Sequence, residues 1–275
     1  MVTRALVLGG GGVTGVAWEI GMLFGLEEAG ISLRDADRFV GTSAGSVVAA
    51  NIAGPTALAD LYRAQVEGFA GEVPAKLGLL DIMRMVIAVR FAGDEQQGLR
   101  KLGARAAAAK TEPAAARRTV IEQRLPSHEW PDKDLRIPAV DVDSGELRVF
   151  DRASGVELVD AVGASCAVPM VWPVVPIDGH RYMDGGMRSV ANVDLAAGLD
   201  RVIVIAPQTA GMRAGTSVAD QLAALGVPSL VISPDPEART ALGRNALDPA
   251  ARRPSAEAGR AQAARVADDV RKAWG

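Results

Sequence analysis

The stretch Phe39-Val40-Gly41-Thr42-Ser43-Ala44-Gly45-Ser46-Val47-Val48 constrains this chain more than any other. An apolar strand end runs into Gly-x-Ser-x-Gly, and small and apolar residues follow. That order suits a sharp strand-to-helix turn with a serine at its tip, where the glycines at 41 and 45 keep Cβ atoms out of the bend. A serine so placed sits at a helix N-terminus, where backbone N–H groups and the helix dipole favour developing negative charge. The same residues also suit a plain turn in which the serine caps the helix. Reading Ser43 as a nucleophile therefore needs partners elsewhere in the chain.

Upstream, Ala5-Leu6-Val7-Leu8 reads as a short strand, Gly9 to Gly15 as a glycine loop, and residues 16–26 as a helix that Gly30 ends. The loop supports two functional readings. As Gly10-x-Gly12-x-x-Gly15 after a strand it matches a dinucleotide fingerprint, which would make the chain a nucleotide-binding oxidoreductase. That fingerprint needs a second strand ending in an acid about 20 residues on. Residues 31–37 carry acids with no strand before them, and the next strand ends at Ser43 instead. In the other reading, consecutive glycines leave backbone N–H groups unshielded, and such a loop can hold the oxyanion of a tetrahedral intermediate. A tight turn with close helix packing is the remaining possibility.

A helix from Ser43 to about Ala53 has almost no polar face and is expected to be buried, with Gly54-Pro55 ending it. Residues 56–125 read as a mostly helical, cap-like insertion. Within it, residues 77–91 are unusually apolar and read as a core or cap helix, an interfacial face being the alternative. Residues 93–98 read as a break, followed by alanine-rich, partly exposed helices at 104–109 and 113–125. Two hairpins follow, one turning at Asp143-Ser144-Gly145 and one at Asp178-Gly179. A helix of small residues at 157–166 lies between them. Buried strands are expected at 201–206 and 229–233 with a helix at 217–225 between them, and a helical tail at 237–275. This alternation predicts one three-layer α/β domain over residues 1–275.

Composition narrows the chemistry. A net charge of −3 gives no global reason to expect nucleic acid. The single cysteine, Cys166, excludes an internal disulfide and a cysteine-based metal site. Only His128 and His180 are available as imidazole bases. His128 lies in a polar loop. His180 stands beside a hairpin turn, about 13 Å of extended strand before Asp184. Asp184-Gly185-Gly186 follows a strand, and the glycines leave room for close approach. A Ser–Asp dyad thus fits better than a triad. A carboxylate base needs partial desolvation to raise its pKa, and a weak base suits ester substrates.

Taken together, Gly10-Gly11-Gly12-Val13-Thr14-Gly15, Gly41-Thr42-Ser43-Ala44-Gly45 and Asp184-Gly185-Gly186 resemble the motifs of the patatin-like phospholipases. Ala164-Ser165-Cys166-Ala167-Val168-Pro169, Pro173 and Asn192 resemble segments around that family's aspartate, so the likeness runs over about residues 4–207. It implies an α/β fold with a central, mostly parallel sheet and a cofactor-free, metal-free hydrolase of lipid acyl esters. It also implies Ser43 as nucleophile, Asp184 as base and the amides of Gly10, Gly11 and Gly12 as the oxyanion hole. Gly15, Gly41, Gly45, Gly185 and Gly186 would shape the three motifs. The position before Gly15, basic in the family's pattern, is Thr14 here. A non-catalytic, lipid-binding relative is the alternative within the same family. The partners implied are a lipid or acyl-ester substrate and transient contact with a membrane surface. A cytoplasmic location, peripheral to membrane, is the expectation, because the first residues run too directly into the glycine loop for a signal peptide. The oligomeric state is left open.

Overall fold

The computed structural model describes residues 2–68, 87, 89 and 92–275. Strand β1 (Arg4–Leu8) leads through the glycine loop into α1 (Gly12–Glu28), and β2 (Arg38–Gly41) leads through the elbow into α2 (Ala44–Ala53). Helices α3 (Leu58–Glu67), α4 (Glu95–Ala108) and α5 (Ala114–Arg124) precede β3 (Asp134–Asp141) and β4 (Leu147–Phe150). Helix α6 (Leu158–Ser165), β5 (Val175–Ile177), β6 (His180–Asp184) and β7 (Arg201–Ile205) follow. The chain ends with α7 (Val218–Leu225), β8 (Ser229–Ile232), α8 (Pro236–Leu242) and α9 (Arg252–Trp274).

The strands form one sheet in the order β5-β6-β3-β2-β1-β7-β8, with β4 pairing β3. β3, β2, β1, β7 and β8 run parallel, while β4 and β6 are antiparallel to β3. Alternation along the central strands defines the layers. Leu6, Leu8, Phe39, Ile203 and Ile205 face a core shared with α1, α2 and α9. Ala5, Val7, Val40, Val202 and Val204 face the opposite side, against Val193, Val218 and Leu222. Side chains alternate across a strand, so a sheet apolar on both faces must be covered twice. The expected three-layer α/β architecture is the one the chain adopts. Both hairpins form where expected. Asp178 and Gly179 lie at φ +50° and +81°, the left-handed pair that a two-residue hairpin turn requires.

Some expectations change. Glu95–Ala108 is one continuous helix, its N-terminus capped by Asp94, whose side chain accepts from the Gln97 amide; the expected break is therefore confined to the residues before it. The tail is helical in two pieces, with a non-helical crossing at residues 243–248. Helix α9 lies directly on α1, where Gly21 and Gly259 let the two backbones approach so closely that a Cβ at either would overlap the facing carbonyl. The segment 77–91 lies outside the described residues except for Ile87 and Val89; Val89 packs with Leu99, Leu102 and Val140. Among the described residues, no helix is long and apolar enough to cross a membrane.

Candidate active site

β2 ends against the loop after β1, and Ser43 forms the sharp turn into α2 at φ +52°, ψ −117°. That backbone is costly for a residue with a side chain, of order 1–3 kcal/mol, and persists only where the surroundings impose it. Here they do. The Ser43 amide donates to Ser165 Oγ at 3.0 Å, and Ser165 Oγ donates in turn to the Pro138 carbonyl at 2.7 Å. The Ser43 carbonyl accepts from Ser46 Oγ at 2.6 Å and from Cys166 Sγ at 3.2 Å. Gly45 sits so close to the end of β1 that a Cβ would overlap the Leu8 carbonyl.

The hydroxyl of Ser43 does not cap its helix. It donates to Asp184 Oδ2 at 2.6 Å, across 141 positions of sequence. The other Asp184 oxygen accepts from the Gly186 amide at 2.7 Å. Ser43 is 8% exposed and Asp184 2% exposed. Burial pushes the Asp184 carboxyl up to about 7, against the opposing pull of the Ser43 and Gly186 hydrogen bonds and the Arg117 charge. The carboxyl is thus desolvated. Asn192 ties the two halves of the pair together. Its Nδ2 donates to Thr42 Oγ1 at 3.1 Å, to Ser189 O at 2.8 Å and to Gly185 O at 3.3 Å.

The glycine loop lies beside this pair: a Cβ added at Gly10 would fall 3.6 Å from Ser43 Cβ. Its amides are not equivalent. The Gly10 amide donates to the Val190 carbonyl at 2.7 Å, and that of Thr14 to Ala246 O at 3.1 Å. Among the described residues, the amides of Gly11 and Gly12 have no acceptor. The loop is clamped from both sides. A Cβ on Gly11 would lie 2.5 Å from Pro207 Cγ, and one on Gly12 2.5 Å from the Ala246 carbonyl. Pro207 and Ala246 thus fill the space into which side chains at these two positions of the loop would project. Behind it, the carboxyl of buried Glu19 accepts from the Gly9 amide at 3.1 Å and is held well above its ordinary value by burial.

Neither histidine joins the site. His180 Nδ1 is 2.9 Å from Asp141 Oδ2, and His128 Nε2 is 3.1 Å from the Glu122 carbonyl. Several surrounding groups escaped the sequence reading. Ser165 and Cys166 lie in the segment that resembles the family's run before its aspartate, yet nothing in the sequence signals their bonds to Ser43, and Ser46 was legible only as a polar residue in the helix after the elbow. Glu19 was legible only as an acid within an apolar helix. For Arg117, in an alanine-rich segment expected to be partly exposed, no sequence signal exists.

The chain is similar to the solved structure of VipD from Legionella pneumophila, with a TM-score of 0.49 and 12% identity over 98% of this chain and 67% of that one. It is also similar to the type III effector ExoU, at a TM-score of 0.45 and 16% identity over 98% of this chain and 53% of that one. A complex of full-length ExoU from Pseudomonas aeruginosa with SpcU gives a TM-score of 0.43 and 15% identity, over 98% of this chain and 52% of that one. The chain thus spans about half the length of the ExoU chains. These distant likenesses carry no functional argument. No curated protein matches the sequence. The sequence model described as patatin-like phospholipase matches residues 6–197, which include the glycine loop, the elbow, Asp184 and Asn192. The chain belongs to the patatin-like phospholipase family.

Proposed function

We propose that this protein is a serine lipid acyl hydrolase that cleaves carboxylic esters through a Ser43–Asp184 dyad and an acyl-enzyme. The observation that carries this reading is the 2.6 Å hydrogen bond from Ser43 Oγ to a buried Asp184 oxygen, made from a strained elbow. Ser43 Oγ attacks the ester carbonyl while its proton passes to Asp184 Oδ2. The open amides of Gly11 and Gly12 receive the oxyanion, each worth about 3 kcal/mol of barrier. Gly10 holds the loop in register through Val190. Asp184 then returns the proton to the departing alcohol, and water releases the fatty acid by the same steps in reverse order. A carboxylate poised at about 7 is matched to this double role near neutral pH. Partly buried Met170, Met187 and Met212 pack on the cluster that holds Met183, the residue before Asp184, and would offer an acyl chain apolar, adaptable contacts. The tail belongs to the same catalytic unit, because Ala246 and Leu247 pack on the glycine loop.

Replacing Ser43 by alanine is expected to abolish hydrolysis of a p-nitrophenyl acyl ester while the thermal melt stays cooperative. Retained turnover in the folded variant would sink the assignment.

A further inference from the structure

Helix α5 contributes a charge to this site. Arg117 is 8% exposed, and its guanidinium carbon lies 3.8 Å from the ring centroid of Trp172. Trp172 is itself 7% exposed. The turn that carries it also holds the dyad. The Trp172 amide donates to Val168 O at 2.9 Å, and the Val168 amide to Cys166 O at 3.0 Å. Within that turn, Cys166 Sγ donates to the Ser43 carbonyl at 3.2 Å, and the Ala167 carbonyl accepts from the Asp184 amide at 3.0 Å. The aromatic face that seats Arg117 is therefore part of the segment that places both nucleophile and base.

Helix α5 is not free to carry Arg117 away. The next residue, Arg118, pairs with Asp160 at 2.9 Å and with Glu157, which fastens α5 to α6 and its N-terminus, and with Glu122 within its own helix. Beside Arg117 lies a small, partly open pocket of about 40 Å³, lined by Val120, Arg124, Trp172 and the acidic Glu112. Arg117 and Asp184 are both buried, so solvent screens a charge between them less than it would at the surface. The glycine loop from Gly9 to Gly15 contains no lysine or arginine. Among the described residues, Ser43 and the Gly186 amide hydrogen-bond Asp184, the Arg117 charge lowers its carboxyl, and Asp184 in turn raises the Cys166 thiol. Arg124 acts on the Cys166 thiol instead.

We propose that Arg117 is an electrostatic positioning residue of the reaction: held by Trp172, it keeps the buried Ser43–Asp184 pair in its negatively charged, reactive form and favours that charge as it moves from Asp184 to the oxyanion. This rests on the dyad reading above. A charge of the right sign in a poorly screened site acts most where the base is partly protonated, on the acid side of neutrality.

The test compares Arg117→Met with Arg117→Lys by measuring kcat and KM for p-nitrophenyl butyrate across the pH range. With the neutral side chain, the acid limb of kcat/KM moves to higher pH. Its loss of kcat/KM on the acid side then exceeds its loss on the alkaline side by about threefold or more. Lysine restores most of the limb, and KM stays nearly constant in both variants. A folded Met variant whose loss is the same at every pH would overturn the proposal and leave Arg117 a packing residue. Should the Met variant not melt cooperatively, Arg117→Gln against Arg117→Lys makes the same charge comparison. Failure of the dyad itself reads differently: hydrolysis would then survive Ser43→Ala, whatever the Arg117 variants do.

Discussion

Replacing Asp184 by asparagine should trade activity for stability, and the structure sets the scale. The buried carboxyl titrates at about 7 rather than at its ordinary value of 3.8, chiefly because burial disfavours the charged form. Between those two values the folded protein keeps a proton that the unfolded chain has released. Stability therefore falls as pH rises through this window, and above about 7 the penalty is complete. The gap corresponds to about 4 kcal/mol. Asparagine is neutral at every pH and nearly isosteric. Its oxygen can keep the Gly186 amide, and its amide group can donate to Ser43 Oγ, so both hydrogen bonds have successors. The expected outcome is a variant about as stable as the wild type near pH 4 and more stable near pH 8 by up to about 4 kcal/mol, with kcat/KM lower by about a thousandfold or more. Urea unfolding of both proteins over about pH 5 to 8 measures the difference directly, and subtracting one curve from the other removes the contribution of Glu19 and other shared groups. A difference that stays flat with pH, or an asparagine variant that is the less stable on the alkaline side, would refute the argument.

Two further variants probe the scaffold of the pair. Gly45→Ala places a Cβ onto the backbone of Leu8 and Gly9, neither of which can move without shifting β1, so a loss of about 3 kcal/mol or more is expected; a melt within a few degrees of the wild type would count against the close approach. Asn192→Ala removes the donors that join Thr42 to the Asp184–Gly185 turn, so kcat is expected to fall about 10- to 100-fold with KM nearly unchanged. An unaltered kcat in steady-state assays would mean that the pair holds its spacing without that bridge.

What the sequence by itself determined is what local backbone chemistry dictates. A strand followed by Gly-x-Ser-x-Gly and a helix of small residues has few conformations open to it, and Ser43 occupies the expected elbow. Asp178-Gly179 turns as such a pair must, and the covering layers on both sides of the sheet follow from strands apolar on both faces. The likeness carried by three short motifs pointed to the family that the match over residues 6–197 establishes. What only the tertiary structure decided is which of these groups meet and which remain open. Asp184 reaches Ser43 because β6 joins β3 antiparallel, with Asp184 opposite Ala139, and β3 alone separates it from β2. Nothing local encodes that order. The three loop amides look alike in sequence, yet Val190, which lies 180 positions from Gly10, takes one of them, while Pro207 and Ala246 shape the space around the others. Periodicity and turn chemistry report on a residue's own backbone and its burial. A hydrogen bond, a desolvated carboxyl or a guanidinium seated on a distant ring depends on pairings between segments far apart in sequence, which form only when the sheet order brings them together.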